Sequence, residues 1–155
     1  GVGRSVANAC GHELNANIYL YDINLLKSEK LNLGLKENKI KSEVLNKNSY
    51  ISQLNKIDLI CNCSSLGHYQ NPGNPLGEIK DCKENAIFFD AVYTPSNTEF
   101  LSQAKKYGFK TIGGIELFIY QGIESFLIFT KRNELREKLM NSSKQFISKY
   151  QNLYN

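Results

Sequence analysis

The sequence predicts an α/β fold, an open parallel sheet with helices on both faces. Three observations lead there. Short, mostly apolar runs at residues 18–21, 57–62 and 86–93 read as strands buried on both faces. Stretches with helical spacing separate them. The residues richest in chemistry, Asp22, 62–67 and 90–95, follow the strands, where ligands of such sheets bind.

Each element has its own warrant. Gly1 and Gly3 lead into a helix over 3–16, where Val6, Ala7, Cys10 and Leu14 make one apolar face. Ala7, Ala9 and Gly11 are small enough for close packing on a sheet. A strand follows at 18–21. A second helix starts at Asn24 and ends near Gly34, a plausible C-terminal cap. Residues 35–56 are rich in Lys, Asn and Ser, and suggest a strand near 40–44 and a short helix near 49–54. After the strand at 57–62 comes a polar loop, then a surface excursion at 69–85 with two prolines. The strand at 86–93 turns through 94–98 into an amphipathic helix closed by Gly108. A short strand at 109–112 and Gly113-Gly114 open an apolar helix over 115–129. Asn133 caps a last helix that reaches about residue 150.

Composition excludes several classes. The chain has 155 residues, a length that suits one domain with a real core. No apolar run reaches the roughly 18–20 residues that span a bilayer. The start is not a basic-then-apolar leader. The net charge is +4, but the basic residues are scattered, with a mild excess after Lys131 that suits a solvated helix face. Nucleic-acid binding calls for a clustered patch instead. The four cysteines, Cys10, Cys61, Cys63 and Cys82, lack metal-ligand spacing and read as reduced, buried thiols of a cytoplasmic protein. No metal site is expected.

The opening stretch resembles part of a dinucleotide-binding unit, which makes the predicted fold Rossmann-like. A glycine turn opens a helix whose N-terminus faces the pyrophosphate, and an acid about 20 positions on takes the adenosine ribose. Gly1, Gly3 and Asp22 fit that spacing, with Arg4 beside the turn. The strand that precedes such a turn is expected upstream of Gly1. Asp22 also suits a cap for the next helix, and the two roles can coexist. A carboxylate there repels a 2′-phosphate, and neither Ile23 nor Asn24 supplies a guanidinium. NAD is therefore expected, with NADP the poorer cofactor. Past the strand at 57–62, Asn62, Cys63 and Ser64 are placed to lie along a cofactor. Gln121 is a lone amide among Leu117, Ile119 and Phe126, which calls for an internal hydrogen bond or a ligand hydroxyl. His12 and His68 carry no assigned role.

Three stretches carry a family resemblance: Asp58 to Gly67, Asp90-Ala91-Val92-Tyr93-Thr94-Pro95, and Gly113-Gly114-Ile115-Glu116-Leu117-Phe118-Ile119-Tyr120-Gln121-Gly122. In this order the chain resembles the C-terminal, NAD(P)-binding half of the shikimate/quinate dehydrogenase family, from Gly1 to about residue 130. The resemblance implies reversible hydride transfer between a nicotinamide cofactor and 3-dehydroshikimate/shikimate or 3-dehydroquinate/quinate, within aromatic amino acid biosynthesis. It implies that Gly1 and Gly3 belong to the diphosphate turn, that Asn62, Cys63 and Ser64 run beside the cofactor, and that Ala91 and Gly114 approach the nicotinamide through backbone atoms. Tyr93 and Gln121 match residues that hydrogen-bond the substrate.

The chain departs from the family pattern at four places. Gly113 stands for Asp, Glu116 for Gly, Thr94 for Asn and Glu99 for Pro. A side chain at Glu116 is expected to crowd the nicotinamide or to charge its surroundings. The family's catalytic Lys–Asp pair lies upstream of the glycine turn. The whole of 1–155 is therefore expected to be a nucleotide-binding domain, with the catalytic domain elsewhere, no catalytic residue in this chain, and little activity by itself. A small-molecule substrate is the expected partner, with no nucleic acid or membrane, and a homodimer left open. The competing expectation is a non-catalytic NAD-binding or regulatory module.

Overall fold

The computed structural model describes residues 1–77, 79 and 81–154, without the side chains of residues 48 and 151–154. The chain divides into two compact units, residues 1–57 with 81–83, and residues 58–80 with 84–155. Helices and parallel strands alternate along most of the described residues, as the periodicity predicts, but β3 is followed directly by β4.

The first unit contains α1 (Val2–Glu13), β1 (Ile18–Leu20), α2 (Leu25–Glu37), β2 (Ser42–Val44), α3 (Lys47–Gln53) and a 3-10 turn, Leu54–Lys56. β1 and β2 pair in parallel, Ile18 opposite Ser42 and Leu20 opposite Val44. Ile18, Leu20 and Leu31 pack on a small core of Ala7, Leu35 and Ile40. Tyr19 and Tyr21 are exposed, so β1 is covered on one face only, against the expectation of two. Gly11 sits against the Ile40 side chain, while Ala9 lies on the outer face of α1.

Helix α2 does not stop at Gly34. It runs on to Glu37, because Leu35 is fully buried and only a continued helix delivers it to the core. The end is a Schellman turn on Lys39, whose φ is 60°. The Lys39 N–H donates to the Lys36 carbonyl, and the Ile40 N–H to the Leu35 carbonyl (both 2.9 Å).

The second unit contains β3 (Leu59–Asn62), β4 (Ile87–Asp90), α4 (Glu99–Lys106), β5 (Lys110–Ile112), α5 (Gly114–Thr130), a 3-10 turn, Asn133–Leu135, and α6 (Arg136–Tyr154). The strands form one parallel sheet in the order β3-β4-β5. Among the described residues the pairing within each unit is parallel, β1 with β2 in the first and β3-β4-β5 in the second. Phe88 on β4 is fully buried, its ring 5.4 Å from Phe100 and 5.0 Å from Phe109. Helix α4 ends on Gly108 as predicted, with φ 81° and the Phe109 N–H donating to the Ala104 carbonyl.

Two expectations change in detail. Asn133 begins a 3-10 turn, and α6 starts only at Arg136. The excursion at 69–85, whose residues 78 and 80 lie outside the described residues, is pinned inward by Ile79, which is buried. Asn74 Nδ2 also ties it to Gln103 Oε1 on α4, at 2.8 Å.

Candidate functional site

In a parallel sheet the last residues of adjacent strands share one edge, and their polar side chains must satisfy one another when water is excluded. β3 and β4 end on Asn62 and Asp90, opposite each other in register. Both are buried, as is Thr98 at the N-cap of α4. Asn62 Nδ2 donates to Asp90 Oδ1 (3.0 Å) and to the Leu66 carbonyl (2.8 Å). Asn62 Oδ1 accepts from the Ser64 N–H (3.1 Å) and hydroxyl (2.7 Å). The Asp90 carboxylate further accepts from the Val92 N–H (2.9 Å) and the Thr98 hydroxyl (2.6 Å). Thr98 Oγ1 in turn accepts from the Leu101 N–H, capping α4. Burial raises the Asp90 carboxyl above its ordinary value of 3.8, and hydrogen bonds from Thr98, Val92 and Asn62 pull it back down.

Asn62, expected with Cys63 and Ser64 to run beside a cofactor, has its side-chain amide bonded to Asp90 and to the loop that follows β3. Its work is to shape residues 62–66. Ser64 is exposed, though its hydroxyl is turned onto Asn62. Cys63 is half-buried, and the other three cysteines are half-buried thiols as well rather than core residues. Burial raises the thiols of Cys10 and Cys82.

The Asp90 network also sets the segment that follows β4. Gly114, the first residue of α5, is buried against it. A Cβ there would lie 2.5 Å from the Val92 carbonyl oxygen and 2.6 Å from that of Ala91, so only glycine permits this approach. The structure therefore brings Ala91 and Gly114 together. Tyr93, half exposed, stacks on Phe118 of α5 with ring centroids 4.9 Å apart. Gln121 is one turn further along α5. It is exposed, and its Nε2 donates to the Phe118 carbonyl at 3.0 Å. Of the two partners open to Gln121, the internal one is present here. Phe118 went unnoticed in the sequence, although its spacing of three from Gln121 puts both on one helix face. His68 Nδ1 accepts from the Gln70 N–H, and its ring lies against Tyr69.

The first unit holds the remaining predicted residues. Gly1 is the N-cap of α1, exposed, with open space where a side chain would stand. Gly3 and Arg4 lie in the first turn, and the Arg4 N–H donates to the Gly1 carbonyl (3.1 Å). Asp22 is exposed just past β1, and its Oδ1 accepts from the Asn24 N–H at 2.8 Å. It thus shapes the entry to α2, whose N-cap is Asn24. Tyr21 beside it packs against Tyr50 of α3 at 4.4 Å, a pairing with no sequence signal.

Among the described residues no three His, Cys, Asp or Glu side chains gather as a metal site, and no helix is long and apolar enough to cross a membrane.

Comparison with known proteins gives these geometries a context. No family model matches the chain. It is 36% identical over 134 residues to the shikimate dehydrogenase (NADP(+)) of Methanococcus maripaludis, covering 84% of this chain and 46% of that protein. The quinate dehydrogenase of Corynebacterium glutamicum in complex with NAD has the same fold, with TM-score 0.77 and 21% identity over 91% of this chain and 52% of that one. A shikimate dehydrogenase in complex with NADP+ superposes with TM-score 0.66 and 25% identity over 92% of this chain and 50% of that one. The chain spans about half the length of the curated relatives it matches.

Proposed function

From the premise that this chain belongs to the shikimate/quinate dehydrogenase family over the half it spans, we propose that it is the nucleotide-binding part of an enzyme for reversible hydride transfer. The substrates are 3-dehydroshikimate/shikimate or 3-dehydroquinate/quinate. Residues 1–155 form the nucleotide-binding domain, and the resemblance assigns the proton-transferring pair to the family's other domain. The enzyme acts in the cytoplasm on small molecules.

One observation carries this reading: the set of Ala91, Gly114, Tyr93 and Gln121 on the β4 end and the first turns of α5. A phenol and an amide beside a backbone edge suit a polyhydroxylated ring. Tyr93 is half exposed, its ring braced by Phe118. Gln121 exchanges its internal bond for one to a substrate hydroxyl.

A nicotinamide dinucleotide fits the residues present. A helix that opens on glycine suits a diphosphate at the first amides of α1. In the first unit the exposed Asp22 carboxylate suits ribose hydroxyls; in the second, the resemblance assigns Cys63, Ser64 and the Ala91 and Gly114 backbone to the cofactor. When bound, the nicotinamide gives or takes the hydride. The cofactor class is NAD(P); within it, Asp22 without a neighbouring guanidinium favours NAD. The Methanococcus maripaludis relative is named for NADP(+), so the choice needs a direct test.

The test is the full-length protein assayed with shikimate and quinate against each cofactor. NAD is expected to give the higher kcat/KM, and a clear NADP preference sinks the Asp22 assignment. Gln121→Ala is expected to raise the substrate KM by roughly tenfold, the worth of one hydrogen bond, with the KM for NAD nearly unchanged. Loss of NAD binding in that variant removes Gln121 from the substrate wall.

A further inference from the structure

Gly113, the N-cap of α5, offers no side chain to the open amides of the first helical turn. Glu116 stands at the third helical position of that turn. Its Oε2 is buried. It lies 3.2 Å from the place a Cβ on residue 113 would occupy. A carboxylate at this helical position can reach back over the N-cap as one half of a capping box, and the helix dipole favours its charge there. The Glu116 side chain thus folds toward its own helix start.

We propose that Glu116 is a positioning residue: its carboxylate stands where a side chain of residue 113 would stand, and braces the Gly113–Gly114 turn against the Ala91–Val92 backbone. Gly113 and Glu116 form one unit. The carboxylate fits because residue 113 is bare, and the bare cap is tolerable because the carboxylate covers it. For its consequence in binding, this rests on the reading of Ala91 and Gly114 as the nicotinamide side of the site.

A double-mutant cycle in the full-length protein tests it, read by thermal midpoint and by equilibrium binding of NAD+ and NADP+. Gly113→Asp alone forces two carboxylates into one place and is expected to lower the midpoint by roughly 4 °C or more. Glu116→Gly alone uncovers the cap and adds a helical glycine, with a loss of about the same size. The double variant puts one carboxylate back, and its midpoint is expected to lie about 3 °C above that of either single variant. Additive losses overturn the proposal.

Glu116→Gln keeps the reach and the bulk over the cap, and should leave both dissociation constants within about twofold of the wild type. Glu116→Ala should weaken both nucleotides together by roughly fivefold, through a misplaced turn. A change of more than about tenfold in Glu116→Gln at an unaltered midpoint places the charge against the ligand and also overturns the proposal. A wild type that binds neither nucleotide overturns the proposed function instead, and the midpoint cycle still decides where Glu116 stands.

Discussion

In the first unit Asp22 follows a strand of three residues with one covered face, and its carboxylate is held by a single N–H two residues away. In the second unit the strand-end acid, Asp90, is fully buried and fastened from three directions, by β3, by its own loop and by the cap of α4. The contrast separates two kinds of polar residue at the end of a parallel strand. A buried one is framework, because every lone pair must find a protein donor. An exposed one is held by a local turn and keeps its charge toward solvent. Substitutions at Asp22 are therefore expected to leave the fold standing, whereas those at Asp90 act on the fold first.

The largest effect expected from this contrast is at Gly114. Gly114→Ala drives a methyl into two backbone carbonyls that cannot yield separately, and should cost about 3 kcal/mol or prevent folding of the second unit. Urea denaturation reads this directly. A loss under about 1 kcal/mol means that α5 is free to move off the Ala91–Val92 segment.

Next comes Asp90. Asp90→Ala strands the Asn62 amide, the Val92 N–H and the Thr98 hydroxyl in a buried place, at a cost of roughly 3 kcal/mol. The pH dependence has a definite sign. Burial raises the folded carboxyl above its unfolded value, so the folded chain holds that proton to higher pH. The stability this gives is complete below the unfolded value and is lost as pH rises through the folded one. Asp90→Asn does not titrate. The difference between its urea midpoint and that of the wild type should change between about pH 3 and pH 7, in the direction of wild-type weakening. Parallel profiles refute the burial effect.

Smaller and opposite in sign is Lys39→Gly. Lys39 occupies the left-handed position that Gly108 fills at the corresponding turn after α4. Relief of that backbone strain, less the entropy of an added glycine, should stabilise the first unit by about 0.5–1 kcal/mol, seen as a higher urea midpoint. The smallest expected effect is that of Asp22→Ala on stability, below about 1 kcal/mol, because one exposed turn bond is lost. Its effect on cofactor choice should be much the larger, with kcat/KM moving toward NADP. A drop of several kcal/mol makes Asp22 framework, like Asp90, and ends the contrast.

Much of this molecule was legible in advance because helical and strand periods are local properties. The closure of α4 at Gly108 and the strands at 59–62 and 87–90 follow from residue type within a few positions. Gly34 misled because a glycine signals a helix end only when nothing further along needs burying, and Leu35 does. The strand at 18–21 misled because an apolar run does not say how many faces are covered. Among the candidate site residues, Tyr93 and Gln121 are named through the family resemblance of the stretches that hold them. The Asn62–Asp90–Thr98 network could not be named from the sequence, since its members are separated by as many as 36 residues and meet through strand register.

Local order along the chain is enough to establish most of the helices and strands, the acid after β1, and the three stretches that carry the family resemblance. Contacts between distant segments settle the rest: that Asn62 serves the loop, that Gly114 must lack a side chain, and that Glu116 turns toward Gly113. The physical reason is range. Propensity and periodicity act within a turn or two, while burial and hydrogen-bond satisfaction depend on which remote segments share a space.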